Sequence, residues 1–367
     1  CQAVADKKST MPMLGNVLLE ANAPDQLRLL ATDLQLSVAG KIAAKVESGG
    51  SVAVGAREML ERIRMMPEGQ VSVSTDGGST TTVRSVGSAR RYTLHGLPGD
   101  EFPALPQPEP QAVPLELEVD ALLRLISGTY FSISTDETRP HLSSALFEWE
   151  GQSVRMVTTD GHRLSKMEIA LSGKPANATL LIPLKGVLEL KRLCEEFKGE
   201  RRASGENAAP VLNLSQSGPN AFFLIDDFQF SVKLVDAQFP PYGQVIPETT
   251  EWAVRAPRLP LTDALKAVSI AANERTGGVK LTLSAGKMRF ESESPDAGEG
   301  FDEVGVEYNG AEVTVGFNAR YFLDVLTAIE DDEIILGLSG ELDPATVKPA
   351  TDAVNSRYLA VIMPMRI

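Results

Sequence analysis

Cysteine is almost missing from this sequence: Cys1 and Cys194 are the only two in 367 residues. Neither lies in a CxxC spacing or beside a histidine at ligand distance, so no disulfide framework and no zinc site is indicated. Cys194 falls in the apolar pattern Val187, Leu190, Leu193, Cys194 and reads as a packed thiol rather than a nucleophile. Histidine is equally scarce, with His95, His141 and His162 far apart. Aromatic residues make up 6% and do not interleave with basic ones, which argues against stacking of unpaired bases. No apolar run of roughly eighteen residues occurs and no charged, apolar leader opens the chain, so neither a membrane span nor a signal peptide is expected, and the expected location is cytoplasmic. No GxxxxGK(S/T), GxGxxG or HExxH motif is present, and no nucleophile has a recognisable base, so the sequence offers no catalytic residue and no cofactor site. Basic residues are in deficit too, 35 Lys and Arg against 49 Asp and Glu, a net charge of -14. Nucleic-acid affinity rests on neutralising phosphates, so any DNA contact must be local.

What is present is a soluble-protein balance, 43% hydrophobic and 23% charged, over a length that suits two or three domains. An internal repeat then organises the chain. Thr10, Met11, Pro12, Met13, Leu14 leads into an apolar strand at 16–20, and Thr138, Arg139, Pro140, His141, Leu142 leads into another at 144–148. A weaker third copy runs from Arg275, Thr276, Gly277, Gly278 into 279–283. In the first two copies a hairpin follows with a shared Thr-Asp turn, Thr32-Asp33 and Thr159-Asp160. Each copy then has a short strand feeding an amphipathic helix, predicted at 57–66, 185–197 and 318–329. Each closes on a Pro-containing stretch, with Glu101, Phe102, Pro103 matching Gln238, Phe239, Pro240. Three α+β domains are expected, 1–112, 113–248 and 249–367, with linkers near 106–114 and 247–250. Aligning Pro12 with Pro140 leaves the first copy without a counterpart for 114–128, and no Met opens the chain. A longer native N-terminus, carrying a further strand and helix, is therefore expected.

The order of these segments resembles the bacterial sliding clamp family, the beta subunits of DNA polymerase III. The match is carried by Pro12-Met13-Leu14-Gly15-Asn16, Thr159-Asp160-Gly161-His162-Arg163-Leu164, Phe239-Pro240-Pro241-Tyr242, Gly316-Phe317-Asn318 and the terminus Met363-Pro364-Met365-Arg366-Ile367. The resemblance implies three tandem clamp domains, each of two βαβββ-like halves, and a head-to-tail homodimeric ring. It further implies a non-catalytic processivity factor that encircles double-stranded DNA without reading its sequence. Its implied partners are the DNA polymerase III catalytic subunit, the clamp loader, and repair and other proteins carrying a clamp-binding motif. No membrane, cofactor or metal is implied.

The resemblance also assigns residues. A groove for partner peptides would be lined by Leu142, Thr159, Gly161, His162, Arg163, Leu164, Pro240, Val245, Val361, Met363, Pro364, Met365 and Arg366. Methionines suit a site that accepts several partners, although Met363 and Met365 also read as the end of a strand. DNA would be faced by Lys7, Lys8, Arg57, Arg62, Arg64, Arg90, Arg91, Lys185, Lys191, Arg192 and Arg320. Each of the helical ones reads equally as part of a solvated face, for example Arg62 paired with Glu58. Phe102, Leu105 and Ile270 are the candidate dimer contacts. Two other readings compete. A metal-dependent phosphoesterase would use Asp160 and His162, but Asp160-Gly161 is first a hairpin turn needing positive φ. A clamp-like scaffold would bind partners without encircling DNA. The segments 198–210 and 295–301 have no counterpart in the other copies and carry no assigned role.

Overall fold

The computed structural model describes residues 1–5, 9–22, 25–76, 80–110, 114–171, 176–204, 210–351 and 353–366, with the side chains of Arg202 and Ser204 set aside. Lys7, Lys8 and Ile367 lie outside the described residues. Among the described residues there are five α-helices: α1 Ala56–Arg64, α2 Val119–Thr129, α3 Leu184–Ser204, α4 Arg258–Ser269 and α5 Ala319–Ala328. Each follows a short strand and precedes three others, so α2 and α3 fall in the second repeat, α4 and α5 in the third, and α1 alone in the first. The chain is strand-rich α+β, as expected. Asn318 starts α5, its Oδ1 accepting the Arg320 N–H at 2.9 Å, which satisfies one of the donors that a helix start leaves over. Helix α3 outruns its predicted end at 197: it continues through Gly199 to Ser204, and Lys198 lies 2.7 Å from Asp120 of α2. A single glycine costs about 1 kcal/mol inside a helix, which this flanking sequence of helix formers tolerates.

The chain folds as two compact units, Cys1–Val119 with Ser204–Leu234, and Asp120–Ala203 with Val235–Ile367. In the first, eleven antiparallel strands form one sheet, running from the edge Val71–Thr75 through Thr80–Ser85, Arg91–Pro98, Gly50–Gly55, Asn16–Asn22 and Gln26–Thr32 to Leu36–Ala43. Phe228–Lys233 pairs with Leu36–Ala43, and Asn220–Ile225, Val211–Ser217 and Leu115–Glu118 complete the order. In the second unit an eight-stranded sheet runs Ala176–Pro183, Ser144–Gly151, Ser153–Thr159, Arg163–Ala170, Ser356–Ile362, Ala345–Pro349, Glu333–Leu338, Trp252–Pro257. A four-stranded sheet runs Gly298–Gly305, Lys287–Ser294, Gly278–Ser284, Val313–Asn318. Both large sheets cross from one repeat to the next, because an unpaired strand edge on each repeat meets its neighbour's edge and satisfies both rows of backbone groups. The compact units therefore follow the sheets, and the strands of the second repeat are shared between them.

Side chains alternate across Ser356–Ile362 as a strand requires. Ala360 and Ile362 join the core built by α4, α5 and the four-stranded sheet, while Val361 faces the opposite way into a cluster of Leu146, Val157, Leu164, Leu181 and Phe239. That second cluster is the floor of the site described next.

Candidate functional site

The site starts from a turn that the sequence writes twice. Thr159 Oγ1 donates to the Arg163 carbonyl at 2.6 Å and accepts the Gly161 N–H at 3.1 Å, while Asp160 Oδ1 accepts the N–H groups of His162 and Arg163 at 2.9 and 3.0 Å. Thr32 and Asp33 make the same bonds around Leu34, Gln35 and Leu36 in the first repeat. The third residue of the turn has positive φ in both, +93° at Gly161 and +74° at Leu34. Glycine adopts this conformation at no steric cost, and a side chain there is strained by about 1 kcal/mol. Asp160 thus spends one oxygen on the turn and the other on Arg163 Nε at 3.1 Å, and His162 is exposed. The carboxylate is occupied with structure, which removes the basis for an acid/base or metal role of Asp160 and His162. Among the described residues no group of three His, Cys, Asp or Glu could hold a metal ion.

From this turn the strand Arg163–Ala170 pairs antiparallel with Ser356–Ile362, placing Leu164 opposite Val361. The Met363 N–H donates to the His162 carbonyl at 2.9 Å, so the pairing runs one residue past the strand. A recess of about 380 Å³ lies on this surface, lined by His141, Leu142, Thr159, Gly161, Arg163, Leu164, Pro240, Pro241, Tyr242, Gln244, Val245, Val361 and Met363. Its floor, Leu164 and Val361, is buried at 2% exposure each, whereas Met363 at 39% and Val245 at 49% stand open on its walls. The segment Tyr242–Val245 is a single 3-10 turn, anchored where Tyr242 Oη donates to Glu148 at 2.9 Å and its ring meets Phe239 edge-on at 6.3 Å between centroids. Burial, then the bond to Glu148, pushes the Tyr242 phenol up to about 12. Apolar walls with a few polar groups suit a short segment with apolar anchors.

Nine of the thirteen groove residues expected from sequence line this recess; His162, Pro364, Met365 and Arg366 do not. His162 contributes its carbonyl. The Met365 N–H donates to the Gly316 carbonyl at 2.8 Å, and its thiomethyl end lies against Gly278, so the chain has already turned onto the four-stranded sheet. Arg163 lines the recess as expected, yet it is only 8% exposed and its guanidinium is bonded to Asp160, Asp324 and the Phe131 carbonyl. Four lining residues were missed: His141, Pro241, Tyr242 and Gln244. Pro241 and Tyr242 belong to the Phe239-Pro240-Pro241-Tyr242 segment that carries the resemblance, Gln244 follows it closely, and His141 precedes Leu142, so sequence adjacency alone was a usable signal.

The basic candidates sit on three helices and one hairpin. On α1, Arg57 is held by Glu61 at 2.7 Å, and Arg62 Nη1 donates to the Glu58 carbonyl at 2.9 Å rather than pairing with the Glu58 carboxylate as expected. Arg64 is exposed. On α3, Lys185 is exposed, Lys191 contacts Glu195 at 2.6 Å, and Arg192 is held between Glu189 and Glu196. The bond from Glu189 raises the Arg192 guanidinium further above its ordinary value, so it stays charged. Arg320 is exposed on α5, Arg91 is exposed, and exposed Arg90 donates to the Met65 carbonyl. Exposed pairs such as Arg57 with Glu61 contribute roughly 0 to 1 kcal/mol, so an incoming phosphate can displace those glutamates, whereas Glu189 is buried beside Arg192.

The dimer candidates divide. Phe102 is buried among Met13, Leu18, Leu30, Ala39 and Ala53, with Leu105 packed against that cluster, so both serve their own core. Ile270 remains 80% exposed at the end of α4. Cys194 is buried and desolvation pushes its thiol up to about 12, in keeping with a packed side chain.

Three family models cover the chain in order: the N-terminal domain of the DNA polymerase III beta subunit matches residues 1–106, its central domain 116–241 and its C-terminal domain 243–366. The chain is 33% identical to the beta sliding clamp of Proteus mirabilis, over 98% of this chain and 94% of that protein. To the beta sliding clamp of Escherichia coli K12 it is 32% identical, again over 98% and 94%. Its fold superposes with a TM-score of 0.88 on the crystal structure of the Pseudomonas aeruginosa sliding clamp bound to griselimycin, at 30% identity, covering 100% of this chain and 96% of that one.

Proposed function

The chain belongs to the DNA polymerase III beta subunit family, the sliding clamps, and from that premise we propose which of its surfaces do the work. A sliding clamp is a processivity factor with no catalytic chemistry of its own: it encircles duplex DNA and tethers the replicative polymerase. The function therefore lies in surfaces, and the observation that carries the reading is the recess walled by Met363 and Val245 over the buried floor of Leu164 and Val361.

We assign this recess as the docking groove for the polymerase catalytic subunit, the clamp loader and repair proteins, each through a short segment with apolar anchors. Griselimycin, bound by the P. aeruginosa clamp, should occupy it too. Titration calorimetry tests this: griselimycin should compete with a peptide carrying Gln and apolar anchors, the pattern that the family resemblance implies, and Met363→Ala with Val245→Ala should weaken both. Binding of either ligand unaffected by the pair places the site elsewhere.

Double-stranded DNA is faced by α1, α3 and α5 through Arg57, Arg62, Arg64, Lys185, Lys191, Arg192 and Arg320. The carboxylates paired with Arg57, Lys191 and Arg192 keep the contact loose, which suits sliding. Lys7, Lys8, Arg90 and Arg91 are assigned to the same role from sequence. A head-to-tail homodimer would use the free edges Val71–Thr75 and Gly298–Gly305, each the last strand of its sheet. The second edge carries Glu299, Asp302 and Glu303 with Phe301 60% exposed, while Arg84 and Arg91 stand near the first. Opposite charges and two unpaired ladders favour a heterologous contact, and its closure makes a ring. Ile270, beside Ala271 which touches Gly300, extends that surface. The three-domain division at 112 and 248 is retained in this proposal, since it follows the repeat.

A further inference from the structure

Arg163 stands on the groove wall, yet its guanidinium is committed elsewhere. Nε reaches Asp160 Oδ2 at 3.1 Å, Nη1 reaches Asp324 Oδ2 at 2.6 Å, and Nη2 donates to the Phe131 carbonyl. The same group lies 4.5 Å from the ring centroid of Tyr321 and 5.5 Å from that of Phe131. A guanidinium offers its donors in one plane and attracts aromatic rings on its faces, and here the protein engages both, with a bond on each of the three nitrogens and rings beside the group. Tyr321 and Asp324 lie three residues apart on α5, which puts them on one side of that helix, and neither lines the recess.

We infer that Arg163 is a positioning residue, pinned by Asp324, that sets the shape of the docking groove and does not read a ligand charge; this rests on the docking reading above. The route is short. Arg163 fixes Asp160, Asp160 fixes the turn by accepting two of its N–H groups, and the turn offers the His162 carbonyl that receives the Met363 N–H. Releasing Asp324 therefore loosens the wall on which Met363 stands. A consequence for specificity follows. With its one buried cation already neutralised, the groove gains nothing from a terminal carboxylate and accepts an internal segment and a chain end alike.

Two measurements test this in the full-length protein. In the free protein, hydrogen exchange should quicken at the amides of Arg163 and Met363 in Asp324→Ala but not in the strand Trp252–Pro257 at the far edge of the same sheet. In calorimetry with a synthetic peptide carrying Gln and apolar anchors, Asp324→Ala should weaken binding roughly three- to tenfold. Asp324→Asn, which keeps an oxygen for Nη1, should restore most of it, whereas a change in bulk folding would not discriminate between the two. Amidated and free-acid peptides should bind the wild type alike. Unchanged exchange and unchanged affinity in Asp324→Ala overturn the inference, as does a free-acid preference that disappears in Arg163→Gln. If the wild type binds no peptide while Met363 exchange still responds to Asp324, the docking reading fails and the positioning role stands.

Discussion

Replacing Met363 and Val245 together by alanine is the sharpest test of the groove, because both are exposed on its walls and neither supports the core. Burying a large apolar side chain completely is worth about 1.5 to 3 kcal/mol. Met363 is 39% exposed and Val245 49%, so a ligand that covers what remains gains roughly 0.6 to 1.2 kcal/mol from the first and roughly 0.7 to 1.5 kcal/mol from the second. The pair should therefore cost about 1.3 to 2.7 kcal/mol, a rise in Kd on the order of ten- to a hundredfold. Leu164 is unsuitable for this purpose. At 2% exposure it belongs to the cluster under the recess, and its removal would confound binding with folding. Calorimetry gives Kd, and circular dichroism with thermal melting checks the fold. A folded double variant whose Kd stays within about twofold of wild type would falsify the area argument.

Leu164→Ala should instead lower stability by about 2 to 5 kcal/mol, read from denaturant midpoints, since it opens a cavity among Leu146, Leu181 and Phe239. In a Cys1→Ser background, which removes the partly exposed thiol, the Cys194 thiol, pushed up to about 12 by burial, should resist a thiol reagent at pH 8 in the native protein and react once urea unfolds it; fast native reaction contradicts the packed reading. Alkaline titration has a definite sign: Cys194 and Tyr242 both have folded values near 12, above their ordinary 9.0 and 10.0. The unfolded chain loses these protons first, so their contribution is intact below pH 9 and is lost between 9 and 12. Stability should fall less steeply across that window in Cys194→Ser with Tyr242→Phe than in wild type, the remaining fall coming from Tyr308, Tyr321 and Tyr358, whose phenols burial also raises. Replacing Lys185, Lys191 and Arg192 by Ala should weaken direct DNA contact and flatten its salt dependence while leaving peptide affinity unchanged.

Sequence disclosed most where a local rule writes the structure. The Thr-Asp turn was legible because its side chains bond to backbone groups two to four residues on, whereas Leu164 and Val361 were reached only through the family resemblance, since their neighbours along each strand are buried as well. Met365 was misplaced, and the Asp324 contact of Arg163 was invisible, because Gly316 and Asp324 are brought in by tertiary pairing. Phe102 sits in a repeated Phe-Pro signature that says nothing of burial; only the packing of Met13, Leu18 and Leu30 around it decides that. Tyr242 and Gln244 lie in an irregular turn with no periodicity to read, and α3 runs past its expected end at 197 to Ser204.

The central claim is that this protein holds DNA by surrounding it. The direct measurement loads the labelled protein onto nicked circular duplex with a clamp loader, isolates the complex by gel filtration, cuts the circle once and filters it again. Encirclement predicts that the protein stays with the circle in salt that strips ordinary electrostatic binders and elutes free after the cut. Equal retention on circular and linearised DNA would contradict the account.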